Sequence, residues 1–334
     1  MNHVAPRVSV VVPCLNEGTH LEKSLETISD ELSFLDGKYE LLVIDDGSSD
    51  DTWEIICGCA EKNFRIRGLR LSRRFGKELA MTAGLERARG DAVIVMDADL
   101  QHPPSVIPEM VRYWEEEGYD VVEAVKEKRG HQSIVSRIEA TLFNSLLGWI
   151  SKIDLRRASD FKLMDRKVLN AWMEMPERAV FFRGMSAWLG FRRKSLPFTA
   201  AARAGGQTNW SHLGLLRLAL TGIIAFSSVP IHLVTLTGGL FLLFATVLGI
   251  NTFWEWYSGV AVEGFTTVII LQLFIASMLM TSLGIIGTYI SKIYEEVKGR
   301  PRYILFETTE STDIQVETSG GKAIVSNTDC PPDG

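Results

Sequence analysis

Two β-branched runs open the chain. Residues 8–13 read Val-Ser-Val-Val-Val-Pro and residues 39–44 read Tyr-Glu-Leu-Leu-Val-Ile, each ending at a breaker or turn. Near-continuous apolar runs of this length mark strands buried on both faces, so both are expected to be parallel strands of a covered sheet. Between them Leu21, Leu25, Ile28, Leu32 and Leu35 recur at steps of three and four, giving a helix one apolar face. The result is a βαβ unit. The alternation continues with a helix over 52–62, a strand over 66–71, a helix over 77–87 and a strand over 92–96. This order predicts a doubly wound α/β domain whose ligand site lies at the carboxyl ends of its strands.

Further along, the pattern changes period. Ile134, Ile138, Leu142, Leu146 and Ile150 form a stripe across residues 133–153, opposite Arg137, Glu139 and Lys152. Such a stripe suits either a helix packed on the core or one lying on a membrane surface. Residues 213–226 make a second segment of this kind, with Arg217 as its charge. Residues 231–250 and 265–290 then run for 20 and 26 positions without a charge, each enough to cross a hydrocarbon core of about 30 Å. The connecting residues 251–264 hold Glu255 and Glu263 but no Lys or Arg, and place Trp254, Trp256 and Tyr257 where an interfacial belt lies. Lys292, Lys298, Arg300 and Arg302 follow the second run, so the positive-inside rule puts both chain ends in the cytoplasm. Residues 1–7 are short and polar, unlike a signal peptide. The expected organisation is an α/β domain over 1–210, a juxtamembrane amphipathic helix over 211–228, two spans within 229–291 and a cytoplasmic tail over 292–334. Beyond about Glu307 the tail is rich in Thr, Ser, Asp and Gly and is expected to be disordered.

Composition sharpens this picture in two places. The net charge of −6 leaves no broad basic field to gather nucleic acid phosphates, so that class of partner is excluded. The four cysteines, Cys14, Cys57, Cys59 and Cys330, have neither a zinc spacing nor the density of a disulfide scaffold and are expected to be reduced thiols.

Candidate chemistry gathers at the strand ends. Residues 93–96 are an apolar run leading into Asp97-Ala98-Asp99. In an extended chain residues i and i+2 point the same way, so both carboxylates can converge on one hard cation, with Gln101 as a further oxygen ligand. A cation there would bridge the phosphates of a nucleotide-sugar and neutralise the departing diphosphate. An acidic turn after a strand also serves as a simple cap, so this triplet gains meaning from its neighbours. Pro13-Cys14-Leu15-Asn16-Glu17 and Asp45-Asp46-Gly47-Ser48-Ser49-Asp50 place more polar groups after strands of the same sheet, where Ser48 or Asp50 also suits a helix N-cap.

Together with Gly76-Lys77, Asp97 through Pro104 and Lys298-Gly299-Arg300-Pro301-Arg302-Tyr303, these segments resemble the family-2 glycosyltransferases of the GT-A fold. They are most similar to its polyprenyl-phosphate branch, which includes dolichol-phosphate mannose synthase and bacterial undecaprenyl-phosphate glucosyltransferases. The resemblance implies a GT-A (Rossmann-like) catalytic domain with a mostly parallel sheet, amphipathic juxtamembrane helices and a two-helix transmembrane hairpin. By it Pro13, Asn16, Glu17, Asp46, Lys77, Asp97 and Arg203 would bind the nucleotide-sugar. Asp97, Asp99 and Gln101 would hold Mg²⁺ or Mn²⁺. Arg137 and Thr141, one helical turn apart, match an Arg-x-x-x-Ser pair for the acceptor phosphate, although Arg137 also suits a solvated helix face. Lys126 and Arg129 would add charge there or remain solvated. Asp160, in Ser159-Asp160-Phe161-Lys162, would act with Asp99 in catalysis, as a base or as an orienting carboxylate. Residues 203–210 depart from the family's Arg-x-x-Gly-x-Ser-Lys-Tyr segment, with Thr208 for Ser and Asn209 for Lys.

The implied reaction is inverting transfer of a hexose, glucose from UDP-glucose in first place, to polyprenyl phosphate. GDP-mannose or another donor is the nearest alternative, and a non-catalytic membrane scaffold or translocase partner is the alternative of another class. The intact Asp97-Ala98-Asp99 cluster disfavours the scaffold. A processive synthase is disfavoured because no Gln-x-x-Arg-Trp motif occurs. Gly238, Gly239, Gly284 and Gly287 would allow close helix contacts and a homo-oligomer. The likeness to bacterial enzymes places the chain in a bacterial inner membrane.

Overall fold

The structure, a computed structural model, describes residues 5–126, 159–175, 181–198, 229–259, 264–310, 317–318 and 321–322. Its elements are β1 (Val8–Cys14), α1 (Leu21–Glu31), β2 (Tyr39–Asp45), α2 (Thr52–Lys62), β3 (Ile66–Leu71), α3 (Lys77–Leu85), β4 (Ala92–Val95) and α4 (Ile107–Glu115). There follow β5 (Val121–Lys126), β6 (Lys162–Asp165), α5 (Arg166–Met173), α6 (Phe182–Trp188), β7 (Arg193–Phe198), α7 (Val229–Tyr257), α8 (Phe265–Val297) and β8 (Leu305–Thr308).

Strands β1 to β8 form one sheet in the order β7-β5-β6-β4-β1-β2-β3-β8. Strands β1 to β4 are mutually parallel, β6 runs antiparallel between β4 and β5, and β8 runs antiparallel along β3. Alternation along β1 divides the core. Val8, Val10 and Val12 face α1, α2 and α4, whereas Val11 faces α3, α5 and α6. The leucine stripe of α1 is buried throughout. On the other face α3 lies close enough to the sheet that a Cβ on Gly84 would come within 2.5 Å of Val11 and 2.6 Å of Ile44.

The fold is thus a GT-A-like α/β domain followed by two long apolar helices, as the pattern and the resemblance led one to expect. It differs in detail. Residues 251–257, expected in a connecting loop, continue α7 as helix. Glu307 to Glu310, expected to begin a disordered tail, are ordered. Thr309 N–H donates to Gly68 O, Gly68 N–H donates to Thr309 Oγ1, and Glu310 pairs with Arg67 at 2.6 Å. The sheet edge at β3 offers unpaired backbone groups and cations that a polar strand satisfies. Cys57 is disulfide-bonded, contrary to the expectation of reduced thiols, while Cys14 and Cys59 are free. The two amphipathic segments at 133–153 and 213–226 lie outside the described residues.

Residues from Gly299 onward belong with the α/β unit, and α7 and α8 form a second unit. Spans suited to a bilayer run over Val234–Glu255 and Leu271–Val297, each with a mean hydropathy of 1.8. Their aliphatic side chains stand exposed, Ile250 by 66% and Met280 by 71%. Long, largely apolar helices with exposed apolar surface mark a membrane-associated protein.

Candidate active site

The parallel strands end together, so the segments after β1, β2, β3 and β4 meet at one edge of the sheet. A pocket of about 240 Å³ opens there, lined among others by Pro13, Glu17, Asp46, Arg74, Lys77, Asp97 and Asp99.

The turn after β2 frames one wall. Gly47 takes φ +72°, and a Cβ on it would lie 2.6 Å from the backbone of Arg73, so only glycine fits this turn. Asp46 accepts from the backbone N–H groups of Phe75 at 2.7 Å and Gly76 at 2.8 Å. It therefore fixes the loop that delivers Lys77 to the start of α3. Asp45, to which no role was assigned from sequence, is fully buried, accepts from Ser48 N–H and pairs with Arg70 at 3.3 Å. Burial raises its pKa against those bonds. Asn16 sits at φ 56° and its Oδ1 accepts from Ser49 N–H at 2.9 Å. It too holds the turns together.

Glu17 lines the pocket and contacts His20 at 2.6 Å. Burial raises its carboxyl pKa, His20 opposes, and Asp99 and Asp97 push it further up. Three carboxylates thus create a negative field at the strand ends. Asp99 accepts from Gln101 N–H at 3.0 Å. His102 packs its ring on Phe161 and Phe198, with Nδ1 4.0 Å from Asp97 Oδ2. Burial lowers its pKa, against the attraction of Asp97 and Asp99, so a neutral imidazole stands behind the cluster.

Asp160 arrives from the antiparallel strand. β6 pairs with β4 so that Val95 faces Lys162; continued outward, that register sets Asp97 opposite Asp160. Lys77 bridges them, with Nζ 2.6 Å from Asp97 and 3.2 Å from Asp160. Burial would lower the Lys77 pKa, but the two carboxylates raise it. Arg183 of α6 grips Asp160 with a fork, Nε to Oδ1 and Nη2 to Oδ2, both at 2.7 Å. Burial raises the Asp160 pKa, yet Arg183 first and Lys77 second outweigh it and hold the carboxyl at about 2. Arg183 went unnoticed in the sequence because no motif surrounds it.

Lys126 ends β5, which runs in the same sense as β4, so it lies at the same edge of the sheet, two strands away from Asp97 and exposed. Arg129, Arg137, Thr141, Arg203, Thr208 and Asn209 lie outside the described residues.

Whether a divalent cation suits the site can be judged from its donors. Among the described residues no three His, Cys, Asp or Glu side chains converge on one point. Asp97 and Asp99 offer oxygen alone, with Glu17 lining the same pocket and Lys77 paired with Asp97 at 2.6 Å. One or two carboxylates completed by phosphate oxygens is the donor set Mg²⁺ prefers. The residues fit such an ion together with its diphosphate.

An α/β sheet with acidic turns at its carboxyl edge has its pocket where ligands of such sheets bind, and the comparison of sequences gives the family. Residues 9–181 match the glycosyl transferase family 2, and the chain belongs to that family. An uncharacterized glycosyltransferase of Synechocystis sp. is 38% identical over 89% of this chain and 94% of its own length. The bactoprenol glucosyl transferase of Shigella phage SfII is 34% identical over 90% of this chain and 97% of its own. Among solved structures, glucosyl-3-phosphoglycerate synthase from Mycobacterium tuberculosis, in complex with Mn²⁺, UDP and phosphoglyceric acid, superposes with a TM-score of 0.49. It is 22% identical and covers 66% of this chain and 78% of that one.

Proposed function

We propose that the protein transfers a hexose with inversion from a nucleotide-sugar to a polyprenyl phosphate, and that the donor is UDP-glucose. The observation that carries this reading is the convergence of Glu17, Asp97, Asp99 and Lys77 on one pocket at the strand ends, in a chain that also holds two helices fit to cross a membrane. The likeness to a bactoprenol glucosyl transferase supports the choice of acceptor and sugar.

In this reading the turns at 13–17 and 45–50 hold the nucleoside, with Asp46 and Asn16 shaping them rather than reaching far into the pocket. Asp97, Asp99 and Gln101 would hold Mg²⁺ or Mn²⁺, which when bound neutralises charge on the diphosphate. Lys77 stands between the donor pocket and Asp160 and adds a positive charge on that side. Arg203 would reach the diphosphate, and Arg137, Thr141 and Lys126 the acceptor. An acceptor phosphate oxygen attacks the anomeric carbon in line; the bond from that carbon to the diphosphate breaks, and the nucleoside diphosphate leaves with the electron pair. The attacking oxygen is already anionic, so no proton need be removed. Asp160 orients its cations.

Calorimetric titration of UDP-glucose, UDP-galactose and GDP-mannose into the detergent-solubilised protein tests the donor. Binding of UDP-glucose in preference to the other two, lost with chelator, is expected. Preferred binding of GDP-mannose would replace the donor.

A further inference from the structure

We propose that Arg183, together with Lys77, receives the phosphate monoester of the acceptor, with Asp160 beneath them as a positioning residue. This rests on the lipid-phosphate reading above and adds to it a binding residue that neither the motifs nor the resemblance assigns.

Three observations lead there. The first is layering. Asp160 is only 11% exposed, whereas the cations that grip it, Arg183 and Lys77, are 49% and 42% exposed. Lys77 is shared between Asp160 and Asp97, whereas Arg183 grips Asp160 alone and stands half exposed, so guanidinium N–H groups face solvent. A guanidinium has more N–H groups than one carboxylate can accept. The fork uses Nε and Nη2, and Nη1 has no partner among the described residues. That edge has N–H groups to offer a second oxyanion, and phosphate fits a guanidinium's planar edge.

The second is position. The pocket lining reaches Lys77 and Asp97 but not Asp160 or Arg183. Lys77 therefore divides two places, the strand-end pocket on one side and the Arg183 edge on the other. A nucleophile held by Arg183 would reach a donor in the pocket from the Asp160 side of Lys77.

The third is rigidity. Phe182 N–H donates to Glu78 at 2.9 Å, and Glu78 is the neighbour of Lys77 on α3. Ser186 Oγ donates to Arg183 O at 3.2 Å, and that same hydroxyl accepts from Lys162 at 2.6 Å. Lys162 is wholly buried and paired with Glu123 at 2.9 Å. The backbone of Arg183 is thus fixed from both sides, and its side chain is fixed by the fork. An arginine held in this way loses little freedom when it takes a ligand.

The test compares full-length wild type, Arg183→Gln and Arg183→Lys in detergent, with UDP-glucose as donor and farnesyl phosphate as acceptor. KM is measured for each substrate, alongside slow hydrolysis of the donor without acceptor. For Arg183→Gln the acceptor KM should rise by about tenfold or more, the cost of losing a charged hydrogen bond. Donor KM and donor hydrolysis should stay within about twofold. Arg183→Lys keeps charge without the planar edge and should raise the acceptor KM by about threefold; should the glutamine variant not fold, the lysine variant decides. An unchanged acceptor KM, or a donor KM that rises in parallel, overturns the assignment while wild-type transfer still stands. Wild type that transfers to no phosphate acceptor overturns both this inference and the reading beneath it.

Discussion

Replacing Asp160 with asparagine removes a charge while keeping the side chain's shape, and so separates two roles a carboxylate can have here. Its pKa falls from 3.8 in the unfolded chain to about 2 in the fold. A depressed carboxyl pKa stabilises the fold fully above about pH 4, and that contribution is lost as pH falls from about 4 through about 2. The shift corresponds to about 2 kcal/mol, reduced to about 1 kcal/mol because Arg183 and Lys77 are half exposed and screened. Asp160→Asn should therefore melt about 2–4 °C below wild type at pH 7, with the gap narrowing below about pH 4 and closing only as the pH falls through about 2. The same pKa speaks to catalysis. A phosphate monoester loses its second proton near pH 6, so moving that proton to a carboxyl of pKa about 2 runs uphill by roughly 5 kcal/mol. With Asp160 as an orienting carboxylate rather than a base, the asparagine variant should lose about tenfold in kcat/KM, equally at pH 6.5 and pH 8.5. Transfer rates from pH 6 to 9 check this. A loss of about 10²-fold or more that recovers at high pH would show a base at work and refute the orienting role.

Other outcomes follow from the same geometry. Asp99→Asn should keep its melting temperature and lose metal-dependent transfer by about 10²-fold or more, read by Mn²⁺ titration of activity. Lys162→Met leaves the buried Glu123 with Arg193 as its cation and should destabilise by about 3–5 kcal/mol in a denaturant melt, with Glu123→Gln restoring part of it. Tyr303→Ala removes a buried ring whose hydroxyl donates to Glu86 and accepts from Arg87. It should cost about 3–5 kcal/mol in a denaturant melt. Gly47→Ala forces a Cβ onto the Arg73 backbone at positive φ and should destabilise by more than about 1 kcal/mol while weakening nucleotide binding.

The parallel half of the sheet could be read in the sequence because strands buried on both faces leave apolar runs, as in β1, and because α1 carries its stripe without interruption. The antiparallel half could not. β5 holds Glu123 and β6 opens on Lys162, buried charges tolerated only because they pair with each other and with Arg193. No local pattern announces a pair made across a register. Strand β8 is not legible because it is four residues long and follows a long apolar helix, and its reason for forming lies partly in Arg67 and Arg70 on a strand distant in sequence. The carboxylates at the strand ends were legible, since Asp97 and Asp99 follow a strand directly, and the structure brings both to the same pocket as Glu17 and Lys77. Arg183 was not, because it meets Asp160 through the packing of α6 beside β6. The loop contacts of Asp46 and Asn16, which tie the turns to one another, leave no mark in the sequence.

The central claim is sugar transfer to a lipid phosphate. It is tested most directly by incubating the detergent-solubilised protein with polyprenyl phosphate and radiolabelled UDP-glucose, UDP-galactose or GDP-mannose, with Mg²⁺, with Mn²⁺ and with chelator, beside Asp99→Ala. The account predicts a lipid-linked labelled product from UDP-glucose that requires the metal and disappears in the variant. A folded protein that forms no lipid-linked product from any of the three donors would contradict it.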